Sequence, residues 1–148
     1  MKNKIFTVTA VIVMVAVYAF NNPKVDFKAD NKEGIQFHKG NWNEALVLAK
    51  KENKLIFLDI YATWCEPCKK LKKNTFSDER VGEFYNSNFI NVALDGEQAE
   101  GLMLANKYHL TGYPSLLFID SDGNVVGQSG GYQNPNEFIA LGKSILKQ

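Results

Sequence analysis

The chain has 148 residues with 45% hydrophobic and 22% charged side chains, which is enough apolar material for the core of one compact domain. Its 17 basic and 16 acidic side chains leave a formal net charge of +1, so no overall field would attract nucleic acid or an acidic substrate. Composition therefore excludes a strongly basic nucleic-acid-binding protein, and it identifies no partner.

An apolar run at residues 5–20 follows two lysines at the N-terminus. The run is shorter than the roughly twenty residues of a membrane-spanning helix, and its position behind positive charges is typical of a signal peptide. Cleavage after Ala19 and retention as a membrane anchor are both open, and a buried core helix is the weaker alternative. We therefore expect residues 1–20 to direct export, as a signal peptide or as a membrane tether.

The next stretch has the composition of a linker. Residues 21–32 contain Pro23 and five charged side chains and show no sustained apolar period. We expect a linker at residues 21–33 and one folded domain at residues 34–148.

The first elements of the domain alternate between strand and helix. Residues 34–37 predict a short strand, and apolar side chains at helical spacing predict an amphipathic helix after it. These side chains are Trp42, Ala45, Leu46 and Ala49. Residues 55–61 are apolar except for Asp59, which is typical of a central strand buried on both faces.

The same alternation continues along the chain. Residues 67–73 are compatible with a helix, and Ser77 is placed to cap another helix that begins with two acids. Strands are expected at residues 89–94 and 116–119, with a helix at residues 97–108 between them. This order of elements predicts an α/β protein with parallel strand pairing.

The C-terminal part predicts a hairpin and a helix. The Asp-Ser-Asp-Gly turn at residues 120–123 precedes a strand at residues 124–128. Asn134 is placed to cap the last helix, with Pro135 in its first turn and Glu137 at the capping-box position.

The two cysteines of the chain stand in one motif, Cys65-Glu66-Pro67-Cys68, between the central strand and the helix after it. Backbone N–H groups at the start of that helix stabilise a thiolate, which predicts Cys65 as the attacking nucleophile. Cys68, one turn further and expected to be more buried, would then resolve the mixed disulfide. The pair is expected to act as a reversible two-electron carrier.

The cysteine pair has two alternatives to redox chemistry, a zinc site and an inert structural disulfide. Half of a zinc site would need two further ligands, and the only histidines, His38 and His109, lack a finger-like spacing to the cysteines. An inert structural disulfide would close too short a loop to constrain the chain. Redox chemistry is therefore the favoured interpretation, and no metal, nucleotide or flavin cofactor is indicated.

Two segments carry a resemblance to a known family. Residues 59–69, Asp-Ile-Tyr-Ala-Thr-Trp-Cys-Glu-Pro-Cys-Lys, resemble the active-site strand and loop of thioredoxins, and residues 111–115, Thr-Gly-Tyr-Pro-Ser, resemble their cis-proline loop. The Thr-Phe-Ser-Asp run at residues 75–78 is similar to the C-terminal thioredoxin-like domain of transmembrane disulfide reductases. The resemblance implies a thioredoxin fold, with a central mixed sheet flanked by helices. Residues 70–73 lack the proline usual in this helix, so a straighter helix is expected.

The resemblance also implies roles for individual residues. Asp59 would be a buried acid that assists proton transfer at Cys68, the alternative being an acid satisfied by local hydrogen bonds. Pro114 would follow a cis peptide bond and lie against the disulfide.

A substrate-binding rim is implied around that proline. Trp64, Tyr113 and Gly131 would form it with Pro114, although core packing accounts equally well for each aromatic residue alone.

Glu66 and Pro67 are expected to tune the cysteine pair. A carboxylate next to Cys65 disfavours the thiolate, which argues against a strong oxidant and favours a reductant. The same Cys-Glu-Pro-Cys loop occurs in membrane-tethered reductases that resemble those of cytochrome c maturation.

The function expected from these features is an exported reductase of disulfides in client proteins. An oxidising compartment would oxidise the pair permanently, so a membrane partner that donates electrons is expected as well. The preferred location is the bacterial periplasm, with the protein soluble or tethered to the inner membrane by residues 5–20. A thiol oxidase or isomerase, and a non-catalytic peptide-binding module, are the alternatives.

Overall fold

The structure is a computed structural model, and it describes residues 33–148. In this part of the chain, the sheet has four strands in the order β2-β1-β3-β4. The strands are β1 (Leu55–Tyr61), β2 (Phe89–Asp95), β3 (Ser115–Ile119) and β4 (Val125–Gly130). β1 pairs in parallel with β2 and antiparallel with β3, and β3 pairs antiparallel with β4. The mixed sheet implied by the resemblance and the buried central strand are confirmed. The parallel pairing expected from the order of elements holds only for β1 with β2, because β3 runs antiparallel to β1.

Within the described residues 33–148, five α-helices cover the two faces of this sheet. They are α1 (Trp42–Glu52), α2 (Glu66–Leu71), α3 (Glu79–Asn88), α4 (Ala99–Lys107) and α5 (Pro135–Ile145). Side chains alternate along β1, so Ile56, Leu58 and Ile60 pack with α1 and α4 on one face. Phe57 packs with residues of α2, α3 and α5 on the other face. The active-site motif at the start of α2 therefore belongs to this second face.

Aromatic rings fill the core of the second face. Phe57 makes edge or tilted contacts with four other rings, those of Phe76, Tyr85, Phe118 and Phe138. The Tyr85 ring stacks on that of Phe138 at 4.2 Å between centroids, and its hydroxyl donates to the Phe138 carbonyl at 2.8 Å. This core fixes α3 and α5 against the sheet.

The proposed divisions of the N-terminal part lie outside the described residues. These are the signal peptide or anchor at residues 1–20 and nearly all of the linker at residues 21–33. Within residues 33–148, no helix is long and apolar enough to cross a membrane.

The strand predicted at residues 34–37 is wrong. The backbone N–H of Ile35 donates to the Phe76 carbonyl at 2.7 Å, and that of Gln36 donates to the side chain of Asn86 at 2.8 Å. Because neighbouring N–H groups bond to different elements, no continuous ladder with the sheet forms here.

The helix that follows the cysteines changes its type partway along, which its sequence did not indicate. After Leu71, α2 passes into a π-helical segment at Lys72–Phe76. This wider turn brings both Thr75 and Phe76 to buried positions. The Thr75 hydroxyl donates to the Gln133 carbonyl at 2.6 Å, which ties the segment to the loop before α5.

The predicted cap of α3 is off by one residue. Asp78 is the N-cap, and its carboxylate accepts the N–H groups of Arg80 and Val81 at 3.0 and 3.2 Å. The Ser77 hydroxyl donates instead to the Lys73 carbonyl at 2.5 Å. The capping box predicted for the last helix is confirmed, because Asn134 and Glu137 bond reciprocally.

Gly101 allows α4 to approach the end of β2. A Cβ at this position would fall on the carbonyl oxygen of Asp95, whereas one at Gly112 would meet nothing within 4 Å. We expect Gly101→Ala to lower the free energy of unfolding by roughly 1–3 kcal/mol through overpacking. Gly112→Ala, the matched control, should change it by less than about 0.5 kcal/mol. Denaturant titration checks both, and equal stability of the two variants would contradict this account of the packing.

Candidate active site

The candidate site lies at one edge of the sheet, where four loops meet. The register pairs Tyr61 with Asp95, and Ser115 with both Ile60 and Gly130. β1, β2 and β4 therefore end at this edge, and β3 begins there. The loops that follow β1, β2 and β4 and the loop before β3 carry the predicted site residues.

Cys65 and Cys68 form a disulfide, with their Cα atoms 5.3 Å apart. Cys65 is the N-cap of α2, and its sulfur accepts the backbone N–H of Cys68 at 3.2 Å. This donor stabilises negative charge on the Cys65 sulfur when the disulfide opens. Cys65 is 2% exposed and Cys68 is 3% exposed, so the two are equally buried. The prediction that Cys68 is the more buried of the two is wrong.

Asp59 lies on the face of β1 that the cysteine pair covers. It shares that face with Tyr61, two residues further along β1, and pairs in register with Ala93 of β2. Tyr61 and Ala93 both pack with the two cysteines. Asp59 is 4% exposed, and burial raises its pKa from 3.8 to about 7. Its carboxyl can therefore take up or release a proton near neutral pH.

The buried Asp59 carboxyl is not satisfied by local hydrogen bonds. Its buried Oδ1 atom has no hydrogen-bond partner among residues 33–148. A buried carboxylate without donors is costly, which is the physical cause of the raised pKa.

The peptide bond between Tyr113 and Pro114 is cis, and Pro114 is buried. Its carbonyl accepts the backbone N–H of Gly131 at 3.4 Å, so the loop after β4 lies against the loop before β3. Gly131 is exposed and has φ +73°, a left-handed conformation that glycine adopts without strain.

Trp64 and Tyr113 contact each other on the side of β2. Their ring centroids are 6.2 Å apart, and the indole Nε1–H donates to Glu97 at 3.0 Å. Trp64 is 63% exposed, so core packing does not explain its position. Tyr113 is half-buried and does pack partly on the core.

Sequence reasoning missed the turn beneath Tyr113. A Cβ at Gly96 would collide with the tyrosine ring, so this glycine permits the close approach. Burial and the carboxylates of Glu97 and Asp95 raise the pKa of the Tyr113 phenol. Residues 95–97 carried no motif that would have indicated this proximity.

Glu66 and Pro67, which were expected to tune the cysteine pair, are exposed at the start of α2. The Glu66 carboxylate lies 2.7 Å from the ammonium of Lys69, one helical turn further. This neighbouring positive charge offsets part of the effect of Glu66 on Cys65. Pro67 stands in the first turn of α2, where its missing N–H costs nothing.

A zinc site would need further ligands near the cysteine pair. In residues 33–148, no three or more histidine, cysteine, aspartate or glutamate side chains lie together as metal ligands. The cysteine pair is engaged in its own disulfide.

The family model that matches this chain describes a thioredoxin-like domain and covers residues 42–145, more than half of the sequence. The chain belongs to the thioredoxin-like domain family. The matched residues include the cysteine pair, Asp59 and the cis-proline loop of this thioredoxin-like domain.

The thioredoxin-like domain is similar in sequence to part of several larger proteins. The thiol:disulfide interchange protein DsbD of Yersinia pestis is 34% identical over 96 residues, which make up 63% of this chain and 16% of that protein. The DsbD of Haemophilus influenzae is 34% identical over 80 residues, 53% of this chain and 14% of that protein. The chain thus spans about one sixth of the length of these relatives.

Solved structures agree with this placement. A proposed disulphide-isomerase from Bacteroides thetaiotaomicron is 40% identical, with a TM-score of 0.69 over 78% of this chain and 96% of that chain. The oxidised C-terminal domain of DsbD from Neisseria meningitidis is 25% identical, with a TM-score of 0.60 over 74% of this chain and 97% of that chain. The predicted resemblance to such C-terminal domains is confirmed.

The raised pKa of Asp59 makes the stability of the thioredoxin-like domain depend on pH. The unfolded carboxyl ionises near pH 4 and the folded one near pH 7, so ionisation of the unfolded chain lowers the stability of wild type between these values. Asp59→Asn removes this penalty. We expect the variant to be more stable than wild type at pH 8, by at most roughly 4 kcal/mol, and to lose this advantage near pH 4.

Denaturant titration of the oxidised proteins at several pH values measures this difference. Asp122→Asn, at an exposed carboxyl in the turn before β4, is the control and should follow wild type at every pH. A difference between Asp59→Asn and wild type that does not change from pH 4 to pH 8 would contradict the raised pKa.

Proposed function

We propose that this chain is an exported thiol-disulfide reductase, which reduces disulfides of client proteins by cycling its own cysteine pair. The proposal rests on the Cys65 sulfur, which accepts the Cys68 N–H, and on the buried Asp59 carboxyl on the face of β1 that the cysteine pair covers. This arrangement unites a stabilised nucleophile, a resolving thiol and a proton acceptor that titrates near neutral pH.

The reaction begins with the reduced pair. The Cys65 thiolate attacks one sulfur of the client disulfide, and the other client sulfur leaves as a thiolate that takes a proton from water. Cys65 and the client are then joined by a mixed disulfide. The Cys68 thiol gives its proton to Asp59 and attacks the Cys65 sulfur, which releases the second client thiolate. Two electrons have passed from the protein to the client, and the Cys65–Cys68 disulfide remains.

The rim residues would hold the client during these steps. Trp64 and Tyr113 offer aromatic surface on one side of Cys65, and Gly131 leaves open space on the other. Pro114 lies between them at the start of β3. An extended client segment could cross this edge of the sheet and bring its sulfur to Cys65.

Continued turnover requires an electron source. A second dithiol must reduce the Cys65–Cys68 disulfide by the same exchange in reverse, because an oxidising compartment does not itself supply a reductant for this disulfide. We propose a membrane protein as this donor, in keeping with the relatives named as thiol:disulfide interchange proteins. The apolar run at residues 5–20 would export the domain to the bacterial periplasm, where it would be soluble or tethered to the inner membrane.

An isomerase or oxidase is the second candidate function, and a specific observation favours it. The relative from Bacteroides thetaiotaomicron, 40% identical, is described as a proposed disulphide-isomerase. The Glu66–Lys69 pair also weakens the argument that Glu66 alone makes the couple reducing. A peptide-binding module without exchange chemistry is the third candidate, and it would not need either cysteine.

The proposal predicts that the full chain with Cys68→Ala accumulates mixed disulfides with clients, because nothing resolves them. The complexes should appear on non-reducing gels of the exported fraction and disappear on treatment with dithiothreitol. Cys65→Ala is the matched control and should form none, since it lacks the proposed nucleophile. If Cys68→Ala is folded and forms no such complexes, the exchange mechanism is contradicted and a binding module becomes the better account.

A further inference from the structure

The edge of the sheet that carries the disulfide has opposite charges at its two ends. At the end of β2, the negative charges of Glu97 and Asp95 add to the effect of burial in raising the pKa of the Tyr113 phenol. The Glu97 carboxylate also accepts the Trp64 indole N–H. Glu97 is exposed, so its charge is available to a ligand on this rim. We call Trp64, Asp95, Glu97 and Tyr113 the acidic border.

The other end of this edge carries positive charge. A surface depression of about 540 Å³ there is lined by Glu66, Pro67, Lys69, Lys70, Lys73, Asn74 and Tyr132. Three of these side chains are lysines, against one carboxylate that is already paired with Lys69. The Lys70 ammonium lies 4.4 Å from the centre of the Tyr132 ring. We call this depression the basic groove.

The walls of the basic groove are held in place by the fold. Thr75 of the π-helical segment donates to the Gln133 carbonyl, next to Tyr132. The Gln133 amide donates in turn to the Ser129 hydroxyl of β4 at 2.7 Å. The helix side and the loop side of the groove are therefore fixed relative to each other. The backbone positions that carry the lysines are set before a ligand binds.

The strand order puts the two charged regions on opposite sides of the cysteines. The acidic border follows β2 and the Tyr132 wall of the groove follows β4, and these are the two outer strands of the sheet. Cys65 follows β1 and Pro114 precedes β3, the two inner strands. An extended segment that crosses from one outer strand to the other passes the disulfide between opposite charges.

We propose that these charges select and orient the client segment, so that acidic residues on one side of its cysteine lie over the basic groove and basic residues on the other side lie over the acidic border. This inference rests on the proposed function and names the class of client, an extended segment with opposite charges flanking the reactive cysteine. A segment in the reverse direction would place like charges together at both ends. Like-charge contacts disfavour the wrong orientation as strongly as opposite charges favour the right one.

The expected size of the effect follows from surface electrostatics. Each exposed ion pair contributes little, so a preference requires several pairs acting together. Two or three such pairs correspond to a rate ratio of about five between matched and reversed segments at low ionic strength. Screening should remove most of this ratio at about 0.5 M salt.

Two short peptides of identical composition test the orientation. One has aspartates before its single cysteine and lysines after it, and the other has the reverse. Each cysteine is blocked as a disulfide with the neutral reporter 2-thiopyridine, whose release is followed by absorbance as the reduced full chain attacks. We expect one of the two peptides to react about five-fold faster, and equal rates at low salt would overturn the inference.

Variants locate the charges responsible. Lys70→Gln combined with Lys73→Gln should bring the rate ratio below about two, and Glu97→Gln, which keeps an acceptor for Trp64, should also lower it. The matched control is Lys143→Gln combined with Lys147→Gln, at the far end of α5 from the groove, and it should leave the ratio unchanged. An unchanged rate ratio between the two peptides in the Lys70→Gln and Lys73→Gln double variant would also overturn the inference.

The same experiment separates the inference from the function on which it rests. Failure of the reduced chain to release thiopyridine from either peptide would contradict the reductase proposal itself. Release from both peptides at one rate would contradict the orientation alone.

Discussion

The register of β1 against its two neighbours is the constraint on which the site depends. It places Phe57, Asp59 and Tyr61 on one face, where the first belongs to the aromatic core and the last packs on the cysteine pair. A shift of one residue would turn Asp59 toward α1 and α4. The same register aligns the ends of all four strands, and with them the four loops that form the site. Core packing thus fixes the positions of groups that themselves contribute little to stability.

Burial of Asp59 is costly for the fold and useful for the chemistry. The carboxyl is desolvated and its Oδ1 atom has no partner within residues 33–148, which raises its pKa to about 7. A surface carboxyl would remain ionised at neutral pH and could not exchange protons with a thiol so readily. The large aromatic core on the same face of the sheet stabilises the fold and offsets the free-energy cost of burying this carboxyl.

Local features of the sequence predicted much of this structure. The apolar run at 55–61, the capping pair Asn134 and Glu137, and the Cys-x-x-Cys motif each carry their signal within a few residues. The errors arose where a distant partner decided the outcome. Backbone N–H groups within residues 34–37 bond to Phe76 and Asn86 instead of to a strand. The sequence of this segment alone does not indicate these distant partners. The contact of Glu97 with Trp64 and the groove between Lys70 and Tyr132 likewise require the strand order, which the sequence did not specify.

Whether the Cys65–Cys68 couple donates electrons to clients depends on its reduction potential. The potential is read by thiol alkylation of the full chain after equilibration in defined redox buffers. A value near or below about −250 mV is predicted, which is typical of thioredoxin-like reductases. A value between about −180 and −120 mV would contradict the account, because such a couple would oxidise or isomerise its clients.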